Sequence, residues 1–451
     1  MGTGVCAGVD WAKDTHDVVV ADGDGERLWA ATVAHDEAGL TRLCQELVRL
    51  GVERVAVERP DGLLVERLLD AGLTVLAMHP NQVAAARPRF RPAGGKSDRF
   101  DAFVLSELAR TDQHRFRALV PDSDQTKALR ALTRGRELLV EQRVALCNQL
   151  RAELERFWPG AVAIFSDLDS PIALAFLERY PSPLDARALG EKRLAQWLAR
   201  HHYCGRRSPA ALLERLRCAP SGRAGEQEAE ARRAIVLALV AALKPIVEQI
   251  RLLTSEIAHA VHEHPDGAIF LSLFRDPKSV VTAATLLAEI GDCRERYPTS
   301  EQLAADAGMS PVAVESGRKK VACFRRGCDH RLRDATSTLA DATRHWHPWA
   351  ADHYARARAR GHDHPRAIRT LGRAWTRVLW RCWQDRIPYD PARHRALEQH
   401  CTVTAHTPSG PRPDLTATQR MLSAAVTPRA GRRPEREALD GKPTTATPLR
   451  G

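Results

Sequence analysis

The chain has 451 residues, with 67 Lys and Arg against 56 Asp and Glu, and carries a net charge of +11. That length allows about two to four domains with cores of their own, and the basic balance favours a polyanionic partner, nucleic acid before membrane. The longest apolar run, Ala234–Leu243, is too short to span a bilayer, and the ten cysteines are scattered without paired spacing, which excludes a membrane anchor and a disulfide scaffold and points to a cytoplasmic protein.

The N-terminus opens directly into a strand-like run instead of a signal peptide. Val5, Ala7 and Val9 alternate, Val18–Ala21 is apolar, and Asp22-Gly23-Asp24-Gly25 between apolar runs is a hairpin signal. Leu40, Leu43, Leu47 and Leu50 then recur at helical spacing up to Gly51. ERVAVERP reads as a buried strand ending in Glu58, GLLVERLLDAG as a helix, LTVLAMHP as a strand and NQVAAARPRF as a short helical piece. Strand–helix–strand alternation after a hairpin predicts an α/β domain around a central mixed sheet, over residues 1–121.

Residues 122–265 read as two heptad helices separated by an inserted or capping segment, 158–225, of short helices and turns. The first carries Leu129, Leu132, Arg136, Leu139, Arg143, Leu146, Leu150 and Phe157; the second carries Leu239, Leu243, Ile246, Ile250, Leu253 and Ile257. They are expected to pair with each other or across a dimer. From 266 to 394 the pattern is helical again, with a stop at Gly291 and a cap at Thr299 or Ser300. Trp375, Trp380 and Trp383 fit a core stripe. From Thr402 onward seven prolines and many Thr, Arg and Gly predict a disordered tail over 395–451. Cys323, Cys328 and His330 lack a second ligand pair, so they read as free groups in a basic loop and not as a zinc site.

The chemistry concentrates in acids. Asp98 and Asp101, in GKSDRFDAFVLSELAR, fall three apart on the first turns of a helix and share one face. Two such carboxylates need a cation between them: Lys96, Arg99 or a hard divalent ion. Asp10 ends the first strand and Glu58 a later one. Each alone is more often a cap, a turn or an ion-pair partner. Together, on two strands and a following helix, they suit two-metal chemistry on a phosphodiester.

These residues carry a resemblance. GVDWAKDTHDVVVAD resembles the GIDxSKxxH opening of the DEDD transposases of the insertion sequence one-ten group, whose N-terminal domain resembles the RuvC resolvase. HPNQVAAARPRFRPAGGKSDRFDA is similar to that family's NPxxV…KTDxxDA block, and EIGDCRERYPTSEQLAADAGMSP to its EIGD…F…LAxxAGLxP block. The matches span roughly residues 5–394. The resemblance implies an RNase H-like (RuvC-like) α/β domain, a helical coiled-coil region and an α-helical C-terminal domain. It implies Asp10, Glu58, Asp98 and Asp101 as the acidic tetrad, holding Mg²⁺, two ions in all. Two departures stand out. The family follows its Glu with Thr-Gly where this chain has Arg59-Pro60-Asp61-Gly62, and Arg275-Asp276-Pro277-Lys278-Ser279 replaces a Gly-Ile-Gly hairpin.

The family's serine-glycine motif corresponds to Ser316 before Gly317, with Ser310 as the fallback; in the family this serine attacks the DNA backbone. Arg318, Lys319 and Lys320 are placed to stabilise phosphorane charge. Arg325, Arg326, Arg331 and Arg333 belong to seven cations within seventeen residues and are expected, with Lys96 and Arg99, to contact phosphates. The expected protein is therefore a DNA transposase or recombinase, guided by an element-encoded structured RNA, working as a homodimer or tetramer on DNA without a membrane. Its rivals are a metal-only junction endonuclease and a non-catalytic DNA-binding relative.

Overall fold

The computed structural model describes residues 4–91, 97–220, 222, 224–316 and 319–393. The tail predicted from 395 onward, Lys96, Gly317 and Arg318 lie outside the described residues.

The opening apolar runs form strands β1 (Val5–Trp11), β2 (Thr15–Ala21) and β3 (Arg27–Ala34). Asp22 turns β2 into β3, its Oδ1 accepting from the backbone N–H groups of Asp24 (3.0 Å) and Glu26 (2.9 Å). Helix α1 (Glu37–Arg49), β4 (Val52–Val57), α2 (Leu63–Asp70), β5 (Thr74–Ala77), α3 (Pro80–Phe90) and α4 (Asp98–Thr111) come next along the chain. The sheet order is β3-β2-β1-β4-β5, antiparallel through β1–β2–β3 and parallel through β1–β4–β5. This is the mixed sheet that the alternation predicts, in the RNase H-like arrangement that the resemblance implies.

Alternation divides the sheet's side chains into two cores. Val9, Val18, Val20, Val55, Val57 and Val75 face α1 and α2, where Leu40, Leu43, Leu47, Leu64 and Leu68 cover them. On the other face Cys6, Ala56, Leu76 and Met78 meet Phe100, Val104 and Leu105 of α4. His16 is fully buried on β2 and shares a 2.7 Å hydrogen bond with His35.

The heptad helices are α5 (Asp124–Phe157) and α11 (Glu226–Glu263). They pair within the chain and run antiparallel: Thr126 meets His264 (2.9 Å), Arg136 meets Thr254 (2.7 Å), and Glu153 meets Arg232 (2.6 Å). The buried seam of α11 runs through Val236, Val240, Leu243, Ile250, Ile257 and Val261, so Leu239, Ile246 and Leu253, expected in it, lie half-buried beside it. Between the helices, α6 (Pro159–Ile164), α7 (Pro171–Arg179), α8 (Pro183–Ala186), α9 (Glu191–Arg200) and α10 (Pro209–Cys218) cap the far end. Their Phe165, Phe176, Leu194, Trp197 and Leu212 share one core with Leu150, Leu154 and Val240 of the coil.

The remaining helices are α12 (Gly267–Leu271), α13 (Val280–Ile290), α14 (Ser300–Asp306), α15 (His330–Thr343), α16 (Pro348–Ala359) and α17 (His364–Asp385). Trp375 and Trp383 are fully buried and donate to Thr343 Oγ1 (2.8 Å) and the Gly291 carbonyl (3.0 Å), while Trp380, expected in the same stripe, is half-buried and donates to the Tyr297 carbonyl (2.7 Å). The expectation of helices throughout this region needs one correction. Strands β6 (Val312–Ser316) and β7 (Lys319–Cys323) form a separate antiparallel hairpin. Every residue of β6 is exposed, so no buried face marked it in the sequence.

The Glu289-Ile290-Gly291-Asp292 block is a clasp. Buried Glu289 takes two bonds from Arg134 (3.0 and 2.7 Å), and Asp292 accepts from the Ser123 backbone (3.0 Å). Asp122, whose side chain is 1% exposed, binds Arg130 (2.5 Å) and Arg296 (2.7 Å). Gly291 adopts φ +83°, and a Cβ there would stand 2.2 Å from Asp122 Oδ1. These bonds tie the base of the coil to the helical region, within a body that ends at Asp390. Among the described residues no helix is long and apolar enough to cross a membrane.

This packing has two measurable consequences. Asp122→Ala leaves two guanidinium groups without their buried partner and costs about 3–5 kcal/mol in urea unfolding. Burial and the His35 ring push the His16 imidazole down to about 4 from 6.5. The unfolded chain therefore binds a proton that the folded chain refuses, and stability is full above pH 6.5 and lost as pH falls towards 4. The loss is about 2–3 kcal/mol, and His16→Phe flattens the slope in unfolding titrations.

Candidate active site

Register brings two predicted acids together. Val9 pairs with Val57 as β1 and β4 run parallel, so Asp10 and Glu58 are the next residues at the carboxyl ends of neighbouring strands, the edge where open α/β sheets bind ligands. Asp10 and Gly8 share the α4 face by alternation. Gly8 admits that helix: a Cβ on it would stand 2.1 Å from the Ala102 carbonyl oxygen and 2.3 Å from the Ser106 nitrogen. Asp17 on β2 stands directly opposite Asp10 and accepts from Thr32 Oγ1 (2.6 Å), adding a carboxylate that sequence reading passed over.

Helix α4 starts at Ser97, whose Oγ accepts from the Phe100 N–H (3.2 Å), and Asp98 and Asp101 sit in its first turn, where the helix dipole favours negative charge. Asp98 is exposed and Asp101 is buried, with 2% of its side chain accessible. A cation that the sequence reading did not name stands beside Asp101. It is Arg87 of α3. Its Nε and Nη2 bind Asp101 Oδ1 and Oδ2 at 2.6 and 2.8 Å, and its Nη2 stands 3.9 Å from Glu58 Oε1. Asp101, then Glu58 and Asp10, hold the guanidinium firmly protonated. Arg99 is exposed on α4.

The donors suit a hard divalent ion: all are carboxylate oxygens. Glu58 Oε1 is buried without a hydrogen-bond donor among the described residues, an acceptor a cation would satisfy. The spacing of the acids is set around Arg87, however, and among the described residues no three His, Cys, Asp or Glu side chains converge tightly enough to hold an ion. The Arg59 departure also has a structural part, since its guanidinium stacks 4.4 Å from the Trp11 ring centroid and braces the chain next to Glu58.

The second set of predicted residues lies elsewhere. Ser316 is the last residue of β6, exposed, and pairs with Lys319 across the hairpin. Ser310 is buried; its hydroxyl donates to Glu301 (3.2 Å) and its carbonyl accepts from Arg325 Nε (3.1 Å). Arg377 and Arg373 hold the Glu301 carboxyl down to about 2, so it stays an acceptor for Ser310. Arg331 is ion-paired with Glu137 of α5, while Arg326 is exposed. Lys319 and Lys320 begin β7.

Comparison with known proteins shows the family. A family model for the DEDD transposase of IS110, described as "Transposase", matches residues 7–159, and one described as "Transposase IS116/IS110/IS902 family" matches residues 279–355. A mini-circle protein of Streptomyces coelicolor, named as a putative transposase for IS117, is 33% identical over 403 residues, which is 86% of this chain and 96% of the relative. The 42 kDa protein of insertion element IS900 from Mycobacterium paratuberculosis is 28% identical over 399 residues, covering 87% of this chain and 98% of the relative. The 43.6 kDa protein of insertion element IS110 from Streptomyces coelicolor is 28% identical over 408 residues, covering 88% and 98%.

Gly8 is the most sensitive point of the layout. Gly8→Ala is expected to cost about 1–3 kcal/mol in urea unfolding, because the obstacle is helix backbone that cannot rotate aside. Gly135→Ala is the control: nothing lies within 4 Å of its new methyl in the middle of α5, and it gains about 0.5–1 kcal/mol.

Proposed function

Because the chain belongs to the IS110 family of transposases, enzymes of DNA phosphoryl transfer, we propose that it cuts and rejoins DNA with Asp10, Glu58, Asp98 and Asp101 as the metal-holding tetrad and Ser316 as the nucleophile. The carrying observation is the meeting of Asp10 and Glu58 at adjacent strand ends beneath the helix that bears Asp101. When bound, two Mg²⁺ ions supply charge neutralisation at the phosphodiester and ease deprotonation of the attacking group.

Ser316 Oγ attacks phosphorus, a serine phosphoester forms, and the deoxyribose oxygen opposite leaves with the proton. The phosphoester conserves the broken bond, so rejoining needs only attack by a DNA hydroxyl. Exposure of Ser316, against the engagement of Ser310 with Glu301, supports this choice. Arg325 and Arg326, with Arg318, Lys319 and Lys320, supply phosphate contacts in this reading, and Arg331 joins them once released from Glu137. A hairpin separate from the five-stranded sheet suits a site shared between protomers of a dimer or tetramer. An element-encoded structured RNA chooses target and donor in this reading, which rests on the family and on the net charge of +11.

Denaturing gels test it. Wild type and Ser310→Ala are expected to yield a covalent protein–DNA adduct, and Ser316→Ala none. Cleavage without any adduct would instead establish the tetrad as a water-using, metal-only nuclease.

A further inference from the structure

Asp101 is buried and charged, and such a carboxylate cannot stand without a cation. Arg87 supplies it through two parallel bonds, and Glu58 and Asp10 add to the field around the same guanidinium. The satisfaction is incomplete: Glu58 Oε1 stays 3.9 Å from Arg87 Nη2, beyond hydrogen-bond reach, with no other donor among the described residues. A divalent ion brought to these oxygens would meet a positive charge already bound to one of them, and the two repel. Cation and guanidinium therefore compete for Asp101. The guanidinium also has somewhere to go. Its planar fork matches a phosphodiester as well as a carboxylate, and a quarter of the Arg87 side chain is open to solvent.

We infer that Arg87 is an internal counter-cation that fills the carboxylate site while nucleic acid is absent and gives it up when a phosphodiester takes the guanidinium. Metal loading is thereby coupled to nucleic-acid binding, and Arg87 acts as a positioning residue that keeps the idle enzyme metal-poor. The inference rests on reading Asp10, Glu58 and Asp101 as metal-holding. By linkage, a phosphodiester that strengthens metal binding is itself bound more tightly when metal is present.

Mn²⁺ binding to the full chain, followed by the electron-spin resonance of the free ion, tests it with and without a short DNA duplex. Without DNA, Arg87→Ala is expected to bind Mn²⁺ about tenfold more tightly than wild type, while Arg87→Lys, which keeps the charge, stays weak. Duplex is expected to tighten wild type by a similar factor and to leave Arg87→Ala unchanged. Because removing Arg87 takes a bidentate ion pair from buried Asp101, thermal melts run alongside: Arg87→Ala melts lower in chelator and recovers with Mn²⁺, and wild type without DNA shifts little. Equal or weaker Mn²⁺ binding by Arg87→Ala overturns the inference; if Asp10→Asn still abolishes binding in that case, the metal-holding reading survives. Mn²⁺ binding indifferent to Asp10→Asn overturns both.

Discussion

One missing methyl group sets the geometry of the acidic strand ends. Gly8 on the central strand lets the backbone of α4 lie directly on the sheet, with the Ala102 carbonyl and the Ser106 nitrogen where a side chain would otherwise project. A helix held that close cannot slide without collision. Its first turn is therefore fixed relative to the ends of β1 and β4, and Asp101 is fixed relative to Asp10 and Glu58. The Phe100, Val104 and Leu105 contacts add hydrophobic stabilisation, but they would tolerate a shift of an ångström or two. The close approach would not.

A second constraint joins the two halves of the chain. The EIGD block is a family motif in the sequence, and its side chains face the base of the coil. Glu289 is spent on Arg134, Asp292 on Ser123, and Gly291 supplies a left-handed turn beside Asp122. Its role here is mechanical. Cations and anions that look free in the sequence, Arg331 and Glu137 among them, are likewise engaged across the coil, so charge clustering in a linear sequence overstates the cation available for nucleic acid.

Much of the sheet domain was legible because its signals are local: alternating valines, a Gly-Asp turn, and Leu40, Leu43 and Leu47 on one helical face. The four acids were picked out by motif spacing, and the register sets two of them, Asp10 and Glu58, at neighbouring strand ends. Arg87 was not, because its partner is fourteen residues away on another helix and nothing in RPRF marks which arginine turns inward. The seam of α11 was misread for a different reason. Two apolar stripes run side by side on that helix, and the larger leucines drew attention from Val236, Val240 and Val261, which the structure buries. The β6–β7 hairpin escaped because β6 lies open to solvent along its whole length, so hydrophobic periodicity had nothing to report.

The antiparallel coil has one more consequence. Because α5 leaves the base and α11 returns to it, with Thr126 beside His264, everything between them is, topologically, one long excursion. Its reach is set by helix rise: the 34 residues of α5 extend about 50 Å. Trimming one heptad from each helix would draw the capping lobe inwards by about 10 Å and turn it by only about 20°, leaving the clasp and the sheet untouched. The coil is thus a ruler graduated in heptads, whose length sets where the lobe is presented independently of the clasp at its foot.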